Sequence, residues 1–374
     1  AAMGSATNTG SGRNNAFGYE ALKSATTGTQ NNTIGFQAGA SLTTGSYNQV
    51  MGAEAMENST TASGCVAIGH DTLRQNNTAY NTAVGHQALT SNTDGARNVS
   101  VGAFALDGCT TSSDNTACGY QALGGACTGV DNAAFGSGAL VVCSTGAENT
   151  AIGSAALDAL TTGNNNTALG RMSGTKVTGG GDNTLIGYYA GAEITTGGSN
   201  TFVGKGAGQN NTASDNVYIG HRCAENATTG TNNVCIGKES APSSNTSNNQ
   251  FVMGNSNTDN LRCNTQTINS LSDGRDKTDV VDLPMGLDFI NAVRPVRFKW
   301  ATRDGNIKDG KTDAGFIAQE LQAVQKNNNA DYLKLVDDEN PDKLEAAYGR
   351  LVPSLVKAVQ ELSAKVEELE SKSN

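Results

Sequence analysis

Side chains that commonly act as catalysts or metal ligands are sparse in this chain of 374 residues, which has 3 histidines and 8 cysteines. His70, His86 and His221 each follow a glycine of a repeat described below, at a variable position that we expect to face outward. No acidic residue recurs beside them, so we predict no metal site and no cofactor. The stretch from Ser272 to Lys277 pairs a serine with a nearby lysine, which could activate it, but six residues alone are more typical of a surface turn.

The cysteines follow the repeat rather than a metal-binding motif, because no CxxC pair occurs. Cys109, Cys127 and Cys143 occupy nearly the same position in three successive repeats, and stacking would bring neighbours within disulfide distance. Two alternatives stay open: three free thiols, or one disulfide between adjacent repeats with the third thiol unpaired. Cys118 stands in the position before a repeat glycine, where we expect a small apolar residue to point inward.

A glycine recurs every 17 residues through most of the chain, with two steps of 16, and the pattern stops before Ser272. The fifteen glycines are Gly18, Gly35, Gly52, Gly69, Gly85, Gly102, Gly119, Gly136, Gly153, Gly170, Gly187, Gly204, Gly220, Gly237 and Gly254. The residue before each one is apolar, and the residue four positions before is asparagine in thirteen of the fifteen repeats. A fixed period of this length indicates stacked supersecondary units.

A typical repeat starts at Asn149 and continues through a short apolar segment, Thr150 to Ile152, to Gly153. The alternation predicts a short strand with one buried face, and the glycine predicts a close backbone approach at a corner between two short strands. The abundance of Gly, Thr and Asn disfavours helices. We therefore predict an all-β repeat shaft, a β-solenoid or β-roll with 17-residue rungs, in which the recurring asparagines form a ladder.

Each rung offers only two or three sizeable residues for burial, so a single-chain solenoid of this kind would be marginally stable. Three chains side by side would supply the missing burial, and we expect a homotrimer. The repeat resembles the Asn-x-x-apolar-Gly-x-x-Ala units of trimeric adhesin heads and of bacteriophage tail fibres, although its period is longer.

Composition divides the chain near residue 272. Residues 1–271 hold 40 of the 46 glycines and 26 charged residues, whereas residues 272–374 hold 34 charged residues and the only tryptophan. Net charges of −6 and −4 without a basic cluster argue against nucleic acid as a partner. No apolar run approaches the roughly 20 residues of a membrane span, so we predict no membrane insertion. The predicted segments are a leader at 1–13 that begins like a cloning scar, the shaft at 14–258, a connector at 259–271 and a second domain at 272–374.

Three motifs mark the second domain. They are Ser272-Asp273-Gly274-Arg275-Asp276-Lys277, Gly315-Phe316-Ile317-Ala318-Gln319-Glu320 and Leu351-Val352-Pro353 at the start of a helix. Their combination resembles the intramolecular chaperone domain of phage tailspikes and tail fibres, the S74 peptidase family, over essentially all of 272–374. The patterns within the domain predict an α+β fold with a helix at 283–293, strands at 296–301, 315–317 and 333–336, and a closing coiled-coil helix at 352–370.

The closing helix has an apolar seam with valine at a and leucine at d. The seam consists of Val352, Leu355, Val359, Leu362, Val366 and Leu369. Such a seam requires partner helices. Valine at a with leucine at d favours two strands in isolation, whereas the resemblance implies three.

For activity, the resemblance implies a Ser-Lys endopeptidase that cuts its own chain once and acts on no external substrate. The scissile bond would be Leu271–Ser272, with Ser272 as nucleophile and Lys277 as general base. Asp273 and Arg275 would hold the turn between them. Whether Lys277 acts within its own chain or on a neighbouring one stays open.

The resemblance further implies a tail-fibre or tailspike segment of a phage virion that binds a bacterial surface receptor, a glycan or an outer-membrane component. The chaperone part would be released in the host cytoplasm during assembly. Two alternatives are a fibre whose chaperone clamps without cutting and a trimeric bacterial surface adhesin, although the chain end does not resemble the membrane anchor usual in adhesins. An enzyme acting on surface glycans would need a cleft that the regular repeat does not indicate.

Overall fold

The computed structural model describes residues 12–262, 272–303 and 306–373. By its internal packing the chain divides into two compact units, Ala1–Asn255 and Ser256–Asn374. The first is a parallel β-solenoid with rungs of about 17 residues, and the second is a small unit of helices and short strands that ends in a helix. The predicted fold class is confirmed.

Fifteen three-residue strands follow one another along residues 12–262 and pair, all parallel and in register, into one sheet. They are β1 Asn15–Phe17, β2 Asn32–Ile34, β3 Gln49–Met51, β4 Val66–Ile68, β5 Thr82–Val84, β6 Val99–Val101, β7 Thr116–Cys118, β8 Ala133–Phe135, β9 Thr150–Ile152, β10 Thr167–Leu169, β11 Thr184–Ile186, β12 Thr201–Val203, β13 Val217–Ile219, β14 Val234–Ile236 and β15 Phe251–Met253. Each strand pairs with the strand one rung away, so chain order equals sheet order.

The repeat glycine ends each strand at a place where only glycine fits. Gly153 has φ +139°, and a Cβ there would lie 2.5 Å from the carbonyl of Gly170 on the next rung. The predicted close backbone approach is confirmed. The predicted second strand after the glycine is wrong: that segment is a series of turns, because alternate residues such as Ala155 and Leu157 have positive φ. These turns still bond between rungs, as in the 3.0 Å bond from the Leu157 amide to the Ser173 carbonyl.

The apolar interior is filled by one residue at mid-strand and by three in the turns. In the ninth rung these are Ala151, Ala156, Leu157 and Leu160, all fully buried. Later rungs distribute the side-chain volume differently: Phe202 is large at mid-strand, and Gly208 occupies the position that holds leucine in seven other rungs. A Cβ on Gly208 would lie 2.4 Å from the Phe202 ring. Close packing therefore limits the total side-chain volume of a rung while leaving open which position supplies it.

The predicted asparagine ladder runs along the interior. The Asn149 side-chain amide donates to Asn132 Oδ1 at 3.1 Å and to the Gly163 carbonyl at 3.0 Å, and its own Oδ1 accepts from the Asn166 backbone amide at 3.0 Å. One side chain thus bonds to rungs on both sides, and these buried backbone groups obtain partners where the chain turns.

The residue before each repeat glycine faces outward. The prediction that Cys118 points inward is wrong, since its side chain is exposed. A three-residue strand places its middle residue on one face and both flanking residues on the other. The small middle residue, Ala117 in this rung, lies inside. The apolar outer stripe, defined as the residues before the fifteen glycines, therefore lies on the surface of the single chain, from 66 % exposed at Phe17 to half-buried at Ile34.

The described part of the second unit contains three α-helices and two short antiparallel sheets. In order they are α1 Leu287–Ala292, β16 Val296–Lys299, β17 Thr312–Gly315, α2 Ala318–Asn327, β18 Val336–Asp337, β19 Glu345–Ala346 and α3 Val352–Ser373, with β16 paired to β17 and β18 to β19. The predicted first helix is thus shorter than expected. The strand expected at 315–317 ends at Gly315, because α2 begins at Ala318.

The core of the second unit joins segments that are distant in sequence. Phe289 of α1, Leu321 of α2, Leu335 and Leu351 pack together with three further buried apolar residues and one alanine. This core is small, which leaves most of α3 outside it.

Candidate active site

Ser272 and Lys277 lie side by side at the start of the second described stretch, residues 272–303. Lys277 Nζ donates to Ser272 Oγ at 2.6 Å and lies 3.3 Å from the Ser272 carbonyl oxygen. A 3₁₀ turn, Gly274–Asp276, connects them and brings the two side chains to the same side. A serine needs a base within hydrogen-bonding distance to act as a nucleophile, and this arrangement supplies one.

Asp273 and Arg275 form the frame of this turn. The Asp273 carboxylate accepts from the Arg275 backbone amide at 2.9 Å and forms a two-pronged ion pair with its guanidinium. The side-chain and backbone hydrogen bonds from Arg275 lower the pKa of Asp273. The carboxylate bonds to Arg275 and caps the turn, and no bond joins it to Ser272 or Lys277.

Both reactive side chains are exposed in the single chain, as is every residue from 272 to 280. A lysine accepts a proton only when it is neutral, and burial is one means by which proteins favour that form. The geometry of nucleophile and base is therefore present in the single chain without the dry surroundings that such chemistry uses. Leu271, the predicted residue on the other side of the scissile bond, lies outside the described residues.

The glycine-containing motif at 315–320 stabilises the second unit. A Cβ on Gly315 would lie 2.6 Å from the Tyr348 hydroxyl. This hydroxyl accepts a hydrogen bond from the Phe316 backbone amide at 3.2 Å. Glu320 forms an ion pair with Arg294 just before β16. These contacts join β17 and α2 to the segments on either side of them in the chain.

A carboxylate of α3 anchors α1. Glu361 Oε2 accepts a hydrogen bond from the Leu287 backbone amide at 2.7 Å. Only a glycine at position 286 leaves space for this carboxylate, since a Cβ there would lie 2.2 Å from the same oxygen. A negative charge at a helix N-terminus satisfies an otherwise unpaired amide. Besides this cap, Glu361 forms an ion pair with Lys357 of the preceding turn.

The apolar seam of α3 is uncovered. Its six residues, Val352, Leu355, Val359, Leu362, Val366 and Leu369, are 45–65 % exposed, whereas Ser354 and Ala358 are the residues of α3 that are buried. The helix therefore packs on its own unit through a different face from the one that the heptad pattern marks.

Comparison with known families identifies this unit. Residues 272–329 match the peptidase S74 family, described as the chaperone of endosialidase, and the match begins at Ser272 itself. The match supports a C-terminal chaperone domain of the phage tail-fibre type. No curated protein and no solved structure matches the chain.

The three histidines lie on the surface of the solenoid, as predicted. His70 and His86 are stacked on adjacent rungs, with ring centroids 5.4 Å apart, and His221 is exposed. In the described ranges, no group of three or more His, Cys, Asp or Glu side chains is arranged to hold a metal ion. No helix within those ranges has the length and apolar character needed to cross a membrane.

The seven cysteines within the described residues are free thiols. Cys127 Sγ lies 3.9 Å from Cys143 Sγ, so the neighbours predicted from the repeat are adjacent without being bonded. The hydrogen bond to Cys127 and burial raise the pKa of Cys143. This thiol is therefore a poor nucleophile while the solenoid is folded.

Proposed function

We propose that this chain is part of a phage tail fibre or tailspike that assembles as a homotrimer under its C-terminal chaperone and is then cut before Ser272. The observation that carries the proposal is the 2.6 Å contact between Lys277 Nζ and Ser272 Oγ at the first residues of the chaperone match.

Two uncovered apolar surfaces support assembly with further copies of the chain. One is the apolar outer stripe of the solenoid, and the other is the seam of α3. Contiguous apolar surface of this extent marks an interaction site in soluble proteins. Both surfaces recur regularly along their elements, as expected where identical chains lie in parallel. Three copies are the number that the resemblance to tail-fibre chaperones implies.

The proposed reaction is an acyl shift followed by hydrolysis. Ser272 Oγ attacks the carbonyl carbon of Leu271 while Lys277 Nζ takes the hydroxyl proton. The bond from that carbon to the Ser272 nitrogen breaks, the nitrogen gains a proton, and Leu271 is left as an ester on Ser272 Oγ. Water then hydrolyses the ester, which gives a carboxylate on Leu271 and restores the serine hydroxyl.

Assembly would control this step. Because Ser272 and Lys277 are exposed in the single chain, we propose that neighbouring chains cover them and favour the neutral amine. Only correctly assembled chains would then release the chaperone, and the remaining fibre would be held by a high barrier to unfolding.

The test is a denaturing gel with intact mass, run on the folded wild type beside Ser272→Ala and Lys277→Ala. We expect a break before Ser272 in the wild type and in the control Lys326→Ala, an exposed lysine of the same unit, and none in the other two. An uncut wild type that still forms trimers would leave a chaperone that clamps without cutting. A monomeric mass in solution would refute the assembly itself.

The in-chain distance further supports cleavage by a chain's own lysine. Co-expression of Ser272→Ala chains with Lys277→Ala chains decides this point. Action within one chain predicts no cleavage in the mixed trimers. Cut Lys277→Ala chains in the mixture would show that the lysine acts on a neighbour.

The remaining parts of the proposal concern place and partner. The fibre would belong to the virion and bind a glycan or outer-membrane component of a bacterial host, and the cut chaperone would stay in the host cytoplasm. Adsorption of the purified fibre to intact host cells, with its loss after the cell-surface polysaccharide is stripped, would test this role.

A further inference from the structure

A column of exposed side chains follows the repeat glycines, and on three consecutive rungs it becomes cationic and aromatic. Tyr188 lies between Arg171 and Lys205: the Arg171 guanidinium carbon is 5.6 Å from the ring centroid, and Lys205 Nζ is 5.9 Å from it. Arg171 also donates to the Tyr188 hydroxyl at 3.3 Å. These contacts hold both cations on the surface beside an aromatic ring.

The two cations have no carboxylate partner in the described part of the chain. Other cations of the solenoid do: Lys176 pairs with Glu193, and Arg222 with Glu225. On a region with net charge −6, an uncompensated pair of cations is a local site of attraction for an anion.

Beside Tyr188 the surface has a depression, which we call the Tyr188 depression. It has a volume of ≈ 280 Å³ and is lined by Tyr188, Tyr189, Lys205, Gly206, Gln209, His221, Arg222 and Glu225. It exists because Gly206 has no side chain at a position where the rungs on either side carry Tyr189 and Arg222. The two tyrosine rings form one aromatic corner, with centroids 4.3 Å apart.

We propose that the Tyr188 depression binds an acidic sugar residue of a bacterial surface polysaccharide. The inference rests on the proposed role in host attachment and assigns it a site and a ligand class. The apolar face of a sugar ring packs on the tyrosines, its carboxylate meets Lys205, and its hydroxyls bond to Gln209 and Glu225. Two free cations are too few for nucleic acid, whose binding depends on many phosphate contacts.

The column itself provides a substitution that fills the depression without unfolding the rung. Gly206 has φ +67°, and its equivalents Gln37, Gln87 and Gln121 have φ values of 53–54°. Gly206→Gln therefore places a side chain that this backbone already accepts elsewhere. Gly138, with φ +68°, is the equivalent glycine of another rung and has open space around it, so Gly138→Gln is the matched control.

The experiment titrates the assembled full-length protein with oligosaccharides of glucuronic, galacturonic and sialic acid, each beside its methyl ester. We expect at least one acid to bind, its ester to bind at least tenfold more weakly, and Gly206→Gln and Tyr188→Ala each to weaken the acid at least tenfold. Lys205→Gln should remove the preference for the acid over the ester. Gly138→Gln should bind like the wild type.

Two outcomes would overturn the proposal: no acid of the panel binds, or binding survives Gly206→Gln unchanged. Trimer mass and cleavage before Ser272, measured on the same preparations, separate this failure from failure of the proposed function. A cleaved trimer that binds no acid of the panel would refute the binding site alone. An uncleaved or monomeric protein that binds the acid would refute the proposed maturation alone.

Discussion

In the solenoid each buried residue packs against residues one rung away, whereas in the chaperone unit the core joins segments far apart in sequence. The Leu123 amide bonds to the Ala139 carbonyl at 2.9 Å, and the equivalent bond recurs on successive rungs from Leu22 to Ala224. In the chaperone unit, Glu361 reaches back 74 residues to cap α1 at Leu287. It follows that the stability of the solenoid is a sum of nearest-neighbour terms, whereas the stability of the chaperone unit depends on a few contacts between distant segments.

The chain contains a means of observing the two regions separately. Its one tryptophan, Trp300, lies in the chaperone unit, where it packs against Phe298 and donates to Asp313 at 3.2 Å. Tryptophan fluorescence therefore reports the chaperone unit, and any transition seen by far-ultraviolet circular dichroism but not by fluorescence reports the rungs.

The largest effect is expected from Gly153→Ala. The new Cβ would lie 2.5 Å from the Gly170 carbonyl and the residue would be held at φ +139°, so we expect a loss of about 4 kcal/mol or more. Denaturant unfolding followed by circular dichroism measures it. Gly349→Ala in the chaperone unit meets no atom within 4 Å and should cost under about 0.5 kcal/mol. Equal losses of stability for the two substitutions would show that the close backbone contact at Gly153 does not exclude a side chain.

Next in size is Leu106→Ala. The side chain is fully buried, and truncation should destabilise the solenoid by about 3 kcal/mol through lost burial and a cavity. Leu362→Ala on the 50 % exposed seam should leave the solenoid transition unchanged. Its effect should appear as dissociation on dilution, measured by light scattering. A Leu362→Ala protein that associates like the wild type would show that the seam is not an interface.

A smaller loss, about 2 kcal/mol, is expected for Asn149→Ala. The change leaves the Asn166 amide and the Gly163 carbonyl without their side-chain partners inside the stack. Asn226→Ala, at an exposed turn, is the control and should lie within about 0.5 kcal/mol of the wild type. If the two substitutions destabilise the protein equally, the side-chain ladder contributes no more to stability than an exposed asparagine does.

The smallest effect is a pH dependence of the solenoid. Burial raises the pKa of Tyr218 above its ordinary value. Above pH of about 10 the unfolded chain releases this proton and the folded chain keeps it, so stability falls as pH rises, by at most about 1.4 kcal/mol per pH unit. Unfolding at pH 9 to 11 should show a shallower decline in Tyr218→Phe than in the wild type. Tyr120→Phe, at an exposed ring, should not alter the slope.

Much of the solenoid could be predicted because its contacts repeat. The 17-residue period, the close approach at Gly153 and the ladder through Asn149 each appear many times in the sequence, so one physical reason accounts for many positions. The chaperone unit gave no such repetition. Helix α1 fills only part of its predicted range, and the strand near Gly315 begins three residues before the predicted one, since short elements in a small core are set by distant partners such as Tyr348 and Glu361.

The candidate site divides in the same way. Ser272 and Lys277 could be paired from the sequence because one turn separates them and the motif resembles a known family. The Tyr188 depression could not, since Tyr189, Gly206 and Arg222 are brought together only by stacking of three rungs.

By itself, then, the sequence determined the stacked β-rungs, the asparagine ladder and the seam of α3, because periodicity fixes which residues share a face. Only the tertiary structure decided which face is inside. Alternation gives relative sides of a strand, and the narrow interior of a rung accepts Ala117 at mid-strand while Cys118 and its equivalents lie outside. For that reason the apolar outer stripe, which supports the proposed homotrimer, became evident from the fold rather than from the pattern.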